Sequence, residues 1–85
     1  MQLDKNAGLR LKAIVESDPG ALVRVLQFFQ TRNLVPRHVS ATRLGAQFLE
    51  AEIEIDATEL EAAAFRNIAA KIAELPVVIA VVACD

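Results

Sequence analysis

Tryptophan and tyrosine are absent from this 85-residue sequence, histidine and cysteine occur once each, and glycine and proline three times each. Without Trp or Tyr, and with no basic cluster on a chain of net charge −2, the stacking platforms and electrostatic footprint of a nucleic-acid binder are missing. Cys84 has no second thiol to pair with, and His38 alone makes no metal set, so neither a redox role nor a metal or other cofactor is expected. No apolar run is long enough to span a bilayer, and residues 1–8, which include Asp4 and Lys5, lack the apolar centre of a signal peptide. The expectation is a cytoplasmic protein with no membrane partner.

What is present is apolar. Hydrophobic residues make up 54% and charged residues 24%, a balance that argues against disorder. At this length one core is only just sufficient, so the chain reads as a flexible lead over residues 1–8 and a single domain over 9–85 that gains from association with another subunit.

Leu9, Leu11, Ala13 and Val15 alternate with Arg10, Lys12, Ile14 and Glu16, the period of a half-buried strand. From Pro19 the period changes: Leu22, Val25, Leu26 and Phe29 fall on one helical stripe that runs to about Arg32, with Phe28 on its flank as a candidate contact residue. Asn33 suits the left-handed residue that ends a helix. Residues 34–44 read as a polar strand that Pro36 places at a sheet edge. Gly45 marks a hairpin, and residues 48–56 alternate strictly, with Glu50, Glu52 and Glu54 on the face opposite Leu49, Ala51, Ile53 and Ile55. Beside the first strand those glutamates would share a face with Arg10 and Lys12, a solvated and paired surface rather than a metal or catalytic site. Thr58 and Glu61 have capping-box spacing ahead of an alanine-rich helix over 59–74, with Leu60, Ala64, Ile68, Ile72 and Leu75 inward and Pro76 stopping it. The continuous apolar run 77–83 suits a strand buried on both faces or covered by another subunit. The order strand, helix, strand, strand, helix, strand predicts an α+β, ferredoxin-like βαββαβ sandwich, a four-stranded antiparallel sheet with both helices on one face.

The chain is organised around Ser17-Asp18-Pro19-Gly20-Ala21-Leu22, between the first strand and the first helix. Asp18 can accept a bond from a first-turn amide, Pro19 has no amide to leave unsatisfied, and Gly20 lets another group approach the backbone. Amides of Ala21, Leu22 and Val23 then face outward at the positive end of a helix dipole, a seat for a carboxylate or phosphate. The same residues also make an ordinary capped helix.

This corner, the Gly20-Ala21-Leu22-Val23-Arg24-Val25 run, the helix end at Thr31-Arg32-Asn33 and the spacing of Leu75, Val78 and Val81 together resemble the ACT domain, most closely the single-domain form of the small regulatory subunit of acetolactate synthase. The resemblance implies a non-catalytic, dimeric regulatory module. It implies a small amino acid held between the corner of one subunit and the second strand of its neighbour, modulating a separate enzyme of amino-acid biosynthesis. The ligand carboxylate would sit on the amides around Gly20, Ala21 and Leu22, its ammonium would seek Asp18 or Ser17, and Val35 would supply an apolar wall. Val35 and Ser17 stand where that family carries Asn, and Pro36 where it carries an aliphatic residue. A structural partner subunit without ligand binding, docking a larger catalytic chain, is the alternative reading. An acylphosphatase-like hydrolase fits poorly, because Asp18 beside Gly20 would repel phosphate. No Ser-His-Asp or paired-carboxylate arrangement can be assembled.

Overall fold

In a computed structural model that describes residues 8–84, the expected element order is present: β1 (Gly8–Glu16), α1 (Ala21–Gln30), β2 (His38–Leu44), β3 (Phe48–Asp56), α2 (Ala62–Ile72) and β4 (Val78–Cys84). The lead expected over residues 1–8 lies outside the described residues except for Gly8, which belongs to β1. The sheet order is β2-β3-β1-β4, and each neighbouring pair is antiparallel, as in the ferredoxin-like plan.

Alternation in β1 and β3 produces the two faces. Leu11 lies opposite Ile53 and Ala13 opposite Ala51, all four fully buried beneath the helices. Phe29 and Val25 of α1 and Phe65, Ile68 and Ile72 of α2 complete that core. On the other face Arg10 reaches Glu52 at 3.4 Å and Glu54 at 3.7 Å, and Lys12 reaches Glu50 at 3.5 Å. The acidic row is thus a paired surface, as expected. The magnitudes rank the two faces. Truncating a buried Phe to Ala costs about 3–5 kcal/mol, whereas an exposed ion pair contributes about 0.2–1 kcal/mol.

Several local expectations need correction. Residues 34–37 are not strand, so β2 starts at His38, two residues after Pro36. The second helix is shorter than 59–74, and Phe65 and Ala69 are buried with Ile68 and Ile72 while Leu60 and Leu75 are only half-buried. The capping box does not form: Glu61 is the N-cap without a side-chain bond, and Thr58 donates its N–H and its hydroxyl to Asp56 Oδ1 at 3.0 and 2.9 Å. β4 is not buried on both faces. It is an edge strand with Ile79 55% and Val82 60% exposed, and its register shifts between Ile14 and Val15 of β1. The expected left-handed cap is present at Asn33, with φ 57°.

The helices cover β1, β4 and the apolar face of β3, leaving the β2 edge bare. All of β2 except Ser40 is exposed, and Val39, which points to the helix side with Ile53, is not covered.

Candidate functional site

β1 delivers the chain to the corner, and backbone hydrogen bonds hold it there on both flanks. Glu16 N–H donates to the Val77 carbonyl at 2.8 Å and Ser17 N–H to the Gln47 carbonyl at 2.9 Å, tying it to the segment before β4 and to the β2–β3 hairpin. Asp18 N–H donates to the Glu16 carbonyl at 2.8 Å. The Asp18 carbonyl then accepts from Ala21 N–H at 2.9 Å, and Asp18 Oδ2 accepts from Gly20 N–H at 3.0 Å.

Asp18 therefore makes an Asx turn rather than the expected bond to a first-turn amide, because Pro19 interposes a residue with no N–H and Gly20 becomes the N-cap. Gly20 has φ −90° and ψ −6°, a conformation open to any residue, and an added Cβ would meet only Asp18 Oδ2, at 3.4 Å. Neither the backbone conformation nor packing within the chain therefore requires glycine at this position. Of the three amides expected to face outward, Ala21 is taken by Asp18, while those of Leu22 and Val23 have no acceptor among the described residues. Two open donors at a helix N-terminus beside one carboxylate can hold the two ends of a zwitterion, carboxylate to amides and ammonium to Asp18.

The structure brings Ser17, Asp18, Gly20, Ala21 and Leu22 together, with Ser17 and Asp18 exposed and Ala21 buried. Val35 is elsewhere. β1 runs toward the corner, with Glu16 opposite Phe48 and Leu44 opposite Phe48 in turn, so the corner shares an end of the sheet with the close of β2. Val35, 76% exposed, precedes the start of β2 at the far end, where His38 lies opposite Glu54.

A cleft of about 370 Å³ opens beside the corner, lined by Glu16, Ser17, Ala46, Gln47 and Phe48. The last three were not anticipated from the sequence. Gly45, with φ 71°, did mark the turn, but it is the pairing of Glu16 with Phe48 that sets this hairpin beside Ser17.

The C-terminal domain of the MgtC protein from Mycobacterium tuberculosis superposes with a TM-score of 0.74 at 16% identity, over 98% of this chain and 92% of that one. The ACT domain from the GTP pyrophosphokinase of Chlorobium tepidum, as a solution structure, gives 0.73 at 9% identity over 92% of this chain and 85% of that one. The crystal structure of the same domain gives 0.72 at 9% identity, over 91% and 96%. The fold is ACT-like. At these identities the likeness establishes architecture alone, and neither a protein-family model nor a curated protein sequence matches the chain.

Away from the corner of this ACT-like fold, His38 and Arg43 are exposed on β2, and Arg37 Nη2 donates to Glu54 Oε2 at 3.0 Å. Among the described residues no three His, Cys, Asp or Glu side chains are grouped to hold a metal ion, and no helix is long and apolar enough to cross a membrane.

Proposed function

We propose that this domain is a non-catalytic regulatory module that binds a small amino acid at the strand-to-helix corner and modulates a separate enzyme of amino-acid biosynthesis. The observation that carries this reading is the pair of open amides at Leu22 and Val23 beside the Asp18 carboxylate. A ligand carboxylate on the amides and its ammonium on Asp18 satisfy both charges, and Ser17 and the hairpin residues Ala46 to Phe48 form the adjoining wall. The ACT neighbour is itself a domain of an enzyme, a GTP pyrophosphokinase, which accords with an accessory role. The enzyme to which the Gly20-Ala21-Leu22-Val23-Arg24-Val25 run points is acetolactate synthase.

Val35 joins this site only through a second copy. Two β2 edges paired antiparallel about a two-fold axis set the start of one strand beside the end of the other. Val35 of one subunit is then carried toward its partner's corner. The bare β2 edge supports this arrangement.

Isothermal titration with each proteinogenic amino acid tests the reading. Saturable heat with one or a few amino acids, lost in Asp18→Ala and in Gly20→Trp, is the expected result; silence across the panel overturns it. The exposed Ile79 and Val82 on β4 favour the second reading, a structural partner subunit that docks a larger catalytic chain. Silence together with co-purification of a large synthase would select it.

A further inference from the structure

The nine Lys and Arg residues are not used alike. Arg10, Lys12 and Arg37 pair with the glutamates of β3. Arg24, Arg32 and Lys71 pair with no carboxylate among the described residues, and all three line one groove of about 480 Å³ along α1 and the end of α2. Gln27, Phe28, Thr31 and Leu75 complete its wall, with the half-buried Phe28 and Leu75 as its apolar surface.

Helix termini explain part of this charge. Lys71 lies in the last turn of α2, and Arg32 follows α1 and donates from Nη1 to the Phe28 carbonyl at 3.0 Å and to Thr31 Oγ1 at 3.4 Å. Each helix C-terminus offsets about half a charge, so three full positive charges exceed what two helix ends neutralise. Glu74 follows Lys71 closely in sequence but does not line the groove. Bonding through Nη1 leaves the Nη2 and Nε donors of Arg32 for an anion, on a guanidinium already held in place.

We propose that this groove is a second ligand site, for a small amphiphilic anion: a carboxylate, sulfonate or phosphate group on an aryl or branched alkyl body. The acidic group takes Arg24, Arg32 and Lys71, and the apolar body lies against Phe28 and Leu75. The volume falls within the roughly 300–1,000 Å³ of small-molecule sites. The positive charge is local, on a chain whose net charge is −2, so an anion is drawn to this groove and not to the surface at large. The site is independent of the corner reading, since none of its lining residues belongs to the corner.

The probe is 8-anilinonaphthalene-1-sulfonate, an aryl anion, with the uncharged dye Nile red as its control. Fluorescence titration is read together with amide shifts in 15N–1H correlation spectra. The expected result is saturation at one site with the largest shifts between Arg24 and Arg32 and at Lys71 and Leu75. Arg24→Glu with Lys71→Glu should weaken the sulfonate at least about tenfold while leaving Nile red within about twofold, because only the anion loses its counter-charges. Gly20→Trp should leave the sulfonate unaffected, which separates this site from the corner. Absence of saturable binding, shifts centred on Ile79 and Val82, or equal weakening of both dyes would each overturn the proposal.

Discussion

Arg37 and Glu54 are joined twice: Arg37 Nη2 donates to Glu54 Oε2 at 3.0 Å, and the Arg37 backbone N–H donates to the Glu54 carbonyl at 2.7 Å. This double link fastens the segment that carries Val35 to β3, one residue before β2 begins. The Arg37 side-chain hydrogen bond is the largest influence on the Glu54 carboxyl and holds it below its usual value of 4.5, against a smaller opposing effect of burial. The charges of Arg37, Arg10 and His38 act in the same direction as the bond.

A pH dependence follows. Because the folded-state pKa of Glu54 is depressed, its contribution to stability is fully present above the unfolded value of 4.5 and is lost as pH falls through the folded value. Arg37→Gln should lower stability by about 0.2–1 kcal/mol at pH 7, and the difference from the parent should shrink toward zero in acid. Urea unfolding at a series of pH values measures it. A difference that stays constant into the acid range would show that Arg37 acts through the packing of its aliphatic stem and not through its charge.

Asn33 closes α1 in the left-handed region, where a Cβ with no local polar partner is disfavoured. Asn33→Ala should cost about 1 kcal/mol in urea unfolding, and Asn33→Gly should be neutral or slightly stabilising. Equal losses from both would mean that the Asn side chain, rather than its φ, does the stabilising.

Thr58 and Glu61 have the spacing of a reciprocal cap, yet Thr58 spends both its donors on Asp56. Those two bonds lower the Asp56 pKa. A true capping box would couple the two positions. The double-mutant cycle of Thr58→Ala and Glu61→Ala should instead be additive within about 0.5 kcal/mol, with Glu61→Ala alone near neutral. Coupling well beyond that in thermal unfolding would restore the box.

These cases mark what a linear reading resolves. β3 was legible to both ends because strict alternation, Leu49 to Asp56, has one periodicity and two clear faces. The ends of α2 were not, because Glu59, Leu60, Ala73 and Glu74 all favour helix while the chain bends at Glu59 and Leu60 and turns at Ala73 and Glu74. The apolar run into β4 cannot distinguish a strand covered on both faces from an edge strand with exposed Val82, since only sheet order decides between them. At the site, Ser17, Asp18 and Gly20 declare themselves through turn chemistry. Ala46, Gln47 and Phe48 do not, because pairing register brings them to Ser17. Val35 is separated from the corner by the length of the sheet, a distance no local pattern encodes.

That separation gives the sharpest test of the two-chain site. If the corner of one subunit and Val35 of its partner form each site, Asp18→Ala and Val35→Glu should each abolish binding of the amino acid identified by titration. Each homodimer then carries two defective sites. In a mixed dimer one site combines the intact corner of the Val35→Glu chain with the intact Val35 of the Asp18→Ala chain, and the other site carries both defects. Random exchange makes about half of the dimers mixed, so mixing the two inactive proteins should restore roughly a quarter of the parent binding capacity at parent affinity. Titration calorimetry after co-refolding reads the capacity directly. Full binding by Val35→Glu alone would instead confine the site to a single chain, with the hairpin residues Ala46 to Phe48 as its wall.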